Sequence, residues 1–357
     1  MILKVFIFWR ISLLALTYIG SIVFPKIANG GIGAIGPGKT FDFLASWAQW
    51  DGGHFVGIAR LGYFNPQEYA FFPLFPNLIR FVSTFTFGNL PLAGLLIANV
   101  AFLAFLAVFY KLVKNKYGGG VASTTIFTFL AFPTAFFGVA VYTEAVFLLF
   151  ACLTLYFLES KKWLYAAIFS SAAGATRLVG IFLIIPFIWA YIKSVKKIDL
   201  KILLLPLSIS GFILYSLYLY LKFGDPLYFS TVQSVWHRSY VNPISTIWSY
   251  ITVSPFNKPF NDYLDVASTL GFLLILAFGF KRIPRSWWLF SLFAILLPAS
   301  TGTLTSMPRY VLAAFPVFIL MGIYLKDRTA LKAITWGIFL TMQTALAILF
   351  VNGFWTA

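Results

Sequence analysis

The chain has 357 residues, of which 61% are hydrophobic and only 10% charged, with a formal net charge of +16. A soluble domain carries about a quarter charged residues, so this composition excludes one. The basic excess suits loops on the cytoplasmic side of a membrane rather than a nucleic-acid partner.

Many apolar runs approach the roughly 17–25 residues that cross a bilayer as a helix. Short alternating barrel strands are not the pattern here. The sequence therefore predicts an all-α polytopic membrane protein, integral and multi-pass, in contact with membrane lipids along most of its length. The lone cysteine, Cys152, excludes an intramolecular disulfide and a CxxC metal site. Two histidines, His54 and His237, do not make a histidine-rich metal site.

The first element follows Lys4, over 5–24. The next residues, "IANG", offer no small-x-small cleavage site, so the run reads as an anchor. A long segment, 25–89, follows. It begins with the glycine-rich "NGGIGAIGPGKT" and continues with "WAQWDGGHFVGIARLGY". Its last part, "AFFPLFPNLIRFVSTFTFG", is apolar but holds two prolines and Arg80, which weaken it as a full span. It reads as a juxtamembrane or re-entrant helix. Later spans are expected near 90–110, 121–140, 142–158, 163–176, 178–192, 202–221, 263–280, 286–301, 308–325 and 333–351. The layout totals about eleven. A second long segment, 222–262, lies between two of them. Together these make one membrane domain over 1–357.

Charge orders the layout. Lys111/Lys114/Lys116, Lys161/Lys162, Lys193/Lys196/Lys197/Lys201, Lys281/Arg282/Arg285 and Lys326/Arg328/Lys332 all fall on the cytoplasmic side if the N-terminus is inside. Lys4 and Arg10 join them. If 163–192 were a single helix, every later cluster would change sides. Two short spans broken near Arg177 keep the rule. Asp42, Asp51, Glu68, Glu144, Asp225, Asp262 and Asp265 then fall outside.

A charge at bilayer depth costs at least about 2.5–3.5 kcal/mol, so each one near a span needs a reason. Asp51, His54, Glu144, Arg177, His237, Arg238 and Arg309 gather near the outer ends of the spans. Each has a bland reading beside the functional one. Asp51 precedes "GGHFVGIARLG" and suits a helix N-cap, with Gly62 as the stop. His54, one turn on, suits a satisfied polar contact. Glu144 and Arg177 suit a pair at adjacent helix ends. Arg309, after a proline, suits snorkelling. "WHR" at 236–238 suits an interfacial aromatic belt.

The blocks carry a resemblance. "QWDGGHFVGIARLGY" followed by "YAFFPLFPNLIR" resembles the first-outer-loop signature of the PIG-V-like mannosyltransferases, which include GPI mannosyltransferase II, within the GT-C superfamily. "FPTAFFGVAVYTEAVFLL" is similar to a later block, with Thr143 where serine is usual. "GATRLVGIFL", "GDPLYFSTVQSVWHR" and "MPRYVLAAFPVFI" follow in order, so the resemblance runs from residue 47 to about 320. The first block is specific; the others inform mainly through their order.

The resemblance implies a GT-C fold with extracytoplasmic juxtamembrane helices. It implies transfer of a sugar, typically mannose, from a polyprenyl-phosphate donor to a lipid-linked or glycan acceptor on the extracytoplasmic side. Asp51 matches the catalytic acid of the first outer loop. Arg177, Arg238 and Arg309 become candidate phosphate contacts, with His54, His237 and Glu144 assisting. Trp50 and Trp236 become candidate sugar-stacking residues. No cofactor or metal is required. The chain is shorter than the eukaryotic enzymes and looks more like a relative from a prokaryotic cell membrane, so their acceptor does not carry over. A transporter or lipid flippase is the rival class, since it too keeps charges among broken helices. Against it stand the lack of an inverted repeat and the gathering of polar residues at the outer ends.

Overall fold

The computed structural model describes residues 1–27, 41–194, 199–252 and 259–356. The "NGGIGAIGPGKT" stretch, Lys196 and Lys197 lie outside the described residues. Within them, every regular element is helical. In chain order the helices are α1 (Ile2–Val23), α2 (Asp51–Leu61), α3 (Leu74–Ser83), α4 (Leu90–Tyr117), α5 (Gly119–Ala131), α6 (Glu144–Glu159), α7 (Trp163–Thr176) and α8 (Ile184–Ser194). They continue with α9 (Leu204–Phe223), the short α10 (Tyr228–Thr231), α11 (Pro243–Thr252), α12 (Phe260–Phe278), α13 (Arg285–Ala299), the short α14 (Met307–Tyr310), α15 (Pro316–Leu325) and α16 (Thr329–Val351).

Five helical stretches among the described residues are long and apolar enough to cross a bilayer alone: Ile2–Val23, Leu90–Tyr117, Leu200–Phe223, Phe260–Phe278 and Thr329–Val351. A pair bent by 83°, Met307–Ala314 with Pro316–Leu325, makes a sixth. Gly119–Ala131, Leu178–Ser194 and Arg285–Ala299 are shorter apolar helices. Helix length therefore accounts for five or six of the expected spans.

The chain divides into two compact units. The first comprises Met1–Phe64, Phe75–Val146 and Met321–Thr356. Its core is aromatic. Phe102, Phe105 and Phe109 recur at helical spacing on α4, all fully buried, and stack at 6.0 and 5.3 Å. Phe129 of α5 packs against all three. Polar side chains in this core find partners. Trp9 Nε1 of α1 donates to Gln343 Oε1 of α16 at 2.9 Å. The Gln343 amide in turn donates to the Leu130 and Phe132 carbonyls freed at the end of α5. Arg10, counted with the cytoplasmic basic residues, is held by protein groups. Its Nε donates to Asn99 Oδ1 at 2.9 Å and its guanidinium lies 4.4 Å from the Trp47 ring centre.

The second unit comprises Asn65–Leu74 and Phe147–Leu320, with the C-terminal residue outside the described set. The expected break at Arg177 is present. α7 ends at Thr176, Arg177 is extended (φ −152°, ψ 145°), and a 3-10 turn over Leu178–Leu183 leads into α8. The chain folds back so tightly that a Cβ on Gly180 would lie 2.5 Å from the Ala173 carbonyl carbon. α7 and α9 also meet through small residues: Gly211 lies on the Ser171 backbone, and the Ser171 and Ser210 hydroxyls are 2.8 Å apart. Such close backbone approach is how helices associate where lipid is as apolar as the side chains.

Candidate functional site

The site residues fall into both units, and each group is built locally. In the first unit, the opening block is held by its backbone. Val141 N–H donates to the Trp47 carbonyl at 3.0 Å, and the Tyr142 hydroxyl donates to the Gln49 carbonyl at 2.8 Å. Gly52 sits where a Cβ would come 3.2 Å from the Val141 carbonyl oxygen, so glycine permits this approach. Trp47 is fully buried.

Asp51 is the first residue of α2, and Trp50 occupies the cap position with φ 56° and ψ −118°. The N-cap reading of Asp51 is thus corrected by one position. A carboxylate in the first turn still gains from the helix dipole, by about 0.3–1 kcal/mol. A bulky residue at positive φ is strained and persists only when its surroundings fix it. Here the Trp50 indole N–H donates to the Phe354 carbonyl at 3.2 Å, and its ring stands edge-on to Trp355 at 4.9 Å. Trp50 is therefore engaged by protein.

His54 lies one turn along α2 and is half-buried. Gly62 ends α2 at φ 79°, as the sequence suggests. Arg80 of α3 donates to the Ala59 and Ile58 carbonyls at 2.7 and 3.3 Å, capping that end. Glu144 begins α6 and is 2% exposed.

In the second unit, three arginines distant in sequence converge on one ring. The guanidinium groups of Arg177, Arg238 and Arg309 lie 5.5, 5.7 and 5.0 Å from the centre of Tyr310. A cation above an aromatic face is attracted to its quadrupole. Arg177 and Arg238 line a cavity of about 330 Å³ together with Tyr310, Gln233, Ser230 and Thr301. Arg309 is 3% exposed and is not among the lining residues.

Arg238 is also a clamp. Its terminal nitrogens donate to Thr301 Oγ1 and to the Thr305 carbonyl, each at 3.0 Å. The backbone beside it does the same: Ser239 and Val241 donate to the Thr301 and Ser300 carbonyls. His237 closes the 3-10 turn over Val232–Trp236 in the left-handed region, φ 56°, and is exposed. Trp236 is half-exposed and stands edge-on to Phe71 at 6.0 Å.

Tyr310, Gln233, Ser230 and Thr301 were not singled out by sequence. Tyr310 beside Arg309 in "MPRY" was the available signal.

No family model matches the chain. Over 145 residues it is 34% identical to GPI mannosyltransferase 2 of Cryptococcus neoformans var. neoformans serotype D, covering 38% of this chain and 34% of that protein. Over 155 residues it is 31% identical to GPI mannosyltransferase 2 of Schizosaccharomyces pombe, covering 42% and 33%. The match therefore spans about a third of the length of these curated relatives. By fold it is similar to ArnT from Cupriavidus metallidurans bound to undecaprenyl phosphate, with a TM-score of 0.52 and 13% identity over 95% of this chain and 63% of ArnT. The apo state of ArnT gives 0.51 and 14%, over 96% and 63%. The chain shares the fold of ArnT and, over about two-fifths of its length, is similar to GPI mannosyltransferase 2. The chain carries the Trp50–Asp51 helix start in one unit and the cavity lined by Arg177 and Arg238 in the other.

Proposed function

We propose that the chain is a membrane mannosyltransferase that takes its sugar from a polyprenyl phosphate and delivers it to a lipid-linked or glycan acceptor on the extracytoplasmic side. The observation that carries this is the convergence of Arg177, Arg238 and Arg309 on Tyr310 beside a cavity. Guanidinium forks match phosphate oxygens in geometry and charge. The similarity to relatives named as mannosyltransferases supports the sugar. The fold shared with ArnT, itself bound to undecaprenyl phosphate, supports the carrier.

In this scheme the donor phosphate is a good leaving group. Asp51 accepts the proton of the acceptor hydroxyl as general base. The acceptor oxygen then forms its bond to the anomeric carbon as the bond from that carbon to the phosphate oxygen breaks. The electron pair leaves with the polyprenyl phosphate. Direct displacement inverts the anomeric centre. Arg177 meets the growing charge on the phosphate, and Arg238 and Arg309 complete the positive field. His54, His237 and Glu144 remain assisting candidates. Trp236 is a candidate for stacking on sugar; Trp50 supports the turn instead.

Transfer of radiolabelled mannose from polyprenyl-phosphate mannose by the purified chain, with a panel of lipid-linked and glycan acceptors, tests the proposal. Labelled product is expected with at least one acceptor. Binding of donor without transfer to any acceptor, with donor instead crossing the membrane of proteoliposomes, would make the chain a lipid transporter.

A further inference from the structure

Asp265 is a buried acid with no part in the scheme above. It projects from α12 and is 3% exposed. Its Oδ1 accepts the Met307 amide at 2.9 Å, in buried surroundings. That amide begins α14, the single turn that carries Arg309 and Tyr310.

The residue before it is unusual. Ser306 stands at φ 76°, ψ 14°, in the left-handed region that side chains other than glycine avoid. It is 1% exposed, and its hydroxyl has no hydrogen-bond partner among the described residues. So the hydroxyl is not what holds the turn. A backbone of this kind persists only when its surroundings over-determine it. Two groups do so from opposite ends of the loop: Arg238 grips Thr301 and Thr305, and Asp265 grips Met307. Burying an acid is costly, and a carboxylate with a fixed amide donor offsets part of that cost.

We propose that Asp265 is a positioning residue: through the Met307 amide it holds the strained Ser306 turn, and so sets where Arg309 and Tyr310 stand in the donor site. Its functional consequence rests on the donor-phosphate reading of the cavity. It predicts that the acceptor oxygen matters at this position and the charge does not. Small misplacements of binding groups can cost about 100-fold in rate, so a loosened turn should be visible in catalysis.

The test uses the full chain in detergent with Asp265→Asn and Asp265→Leu. Asparagine keeps an oxygen for the Met307 amide; leucine has a similar size and no acceptor. Leaving the Met307 amide without its acceptor costs about 1–3 kcal/mol, a loss that a folded chain can survive. Two readouts are taken: amide exchange of peptides spanning 304–312, and donor KM and kcat with polyprenyl-phosphate mannose. Leucine is expected to speed exchange in that segment and to lower donor kcat/KM by about tenfold or more, mainly through KM. Asparagine is expected to match the wild type in both. Adding Ser306→Gly to the leucine variant should recover part of the loss, because glycine adopts this φ without strain.

Wild-type exchange and KM in the leucine variant would overturn the proposal. So would an asparagine variant as impaired as leucine, since that would assign the role to charge. If the leucine protein is not monodisperse, Asp265→Ser, too short to reach the amide, replaces it with the same outcomes. A wild-type chain that transfers no sugar would sink the donor-phosphate reading, while the exchange data would still decide whether Asp265 holds the turn.

Discussion

Gly211 of α9 lies directly on the backbone of Ser171 on α7: a Cβ there would come 2.0 Å from the Ser171 carbonyl oxygen. Backbone cannot yield as a flexible side chain can. Inserting atoms into such packing commonly costs about 1–3 kcal/mol, and more where backbone is met. Gly211→Leu should therefore separate α7 from α9 and disturb Arg177, one residue beyond α7. Thermal unfolding in detergent is expected to show a clear loss of midpoint. Gly271→Leu is the control, because nothing among the described residues lies within 4 Å of a Cβ there. Equal midpoints for the two variants would contradict this account of the α7–α9 contact.

Tyr310 gathers three guanidinium groups, and ring and hydroxyl contribute differently. The hydroxyl accepts from Arg309 at a long 3.4 Å, while the ring meets all three arginines. Each cation–π contact is worth about 0.5–2 kcal/mol. Tyr310→Phe should stay within about threefold of wild-type donor kcat/KM, and Tyr310→Leu should lose about tenfold or more. Steady-state kinetics at varied donor concentration check this. A phenylalanine variant as poor as leucine would shift the role to the hydroxyl.

Legibility from the sequence follows the range of the contacts. The break at Arg177, the stop at Gly62 and the helix that starts at Asp51 are local events, written in neighbouring residues. The convergence of Arg177, Arg238 and Arg309 is not local. They were singled out because charges beside apolar runs need a reason, but no periodicity says that they share Tyr310. Asp265 was counted only as one acid among several on one side, since its partner is a backbone amide 42 positions away. Arg10 was grouped with Lys4 by proximity in the chain, and its contacts with Asn99 and Trp47 are long-range. Trp50 at positive φ had no sequence signal, because glycine, not tryptophan, marks that conformation.

The charge layout makes a separate prediction. The basic clusters place the Lys116 and Arg282 regions inside and the 222–262 segment outside. Lys116, Arg282 and Ser245 are all exposed, and the native Cys152 is fully buried, so its background labelling should be low. Lys116→Cys and Arg282→Cys should react with an impermeant maleimide only after the membrane is opened. Ser245→Cys should react in intact cells. Labelling of the Arg282→Cys protein in intact cells would invert the second half of the layout and rule out a double crossing over 163–192.

Asp51 tests the catalytic scheme most directly, because its structural and chemical roles differ in size. As the first residue of α2 its carboxylate gains about 0.3–1 kcal/mol from the helix dipole. The backbone grip on the block does not pass through its side chain, since Val141, Tyr142 and the Phe354 carbonyl hold Trp47, Gln49 and Trp50. The variant should therefore fold and remain monodisperse by size exclusion. Loss of a general base costs about 10²–10⁴-fold, or about 2.7–5.4 kcal/mol of barrier at 1.36 kcal/mol per tenfold. A drop of that size in kcat, with donor KM little changed, is the expected result in the mannose-transfer assay. Asp51→Glu, which keeps a base but moves it by one methylene, should fall between asparagine and wild type. Turnover of Asp51→Asn within about threefold of wild type would remove Asp51 from the chemistry.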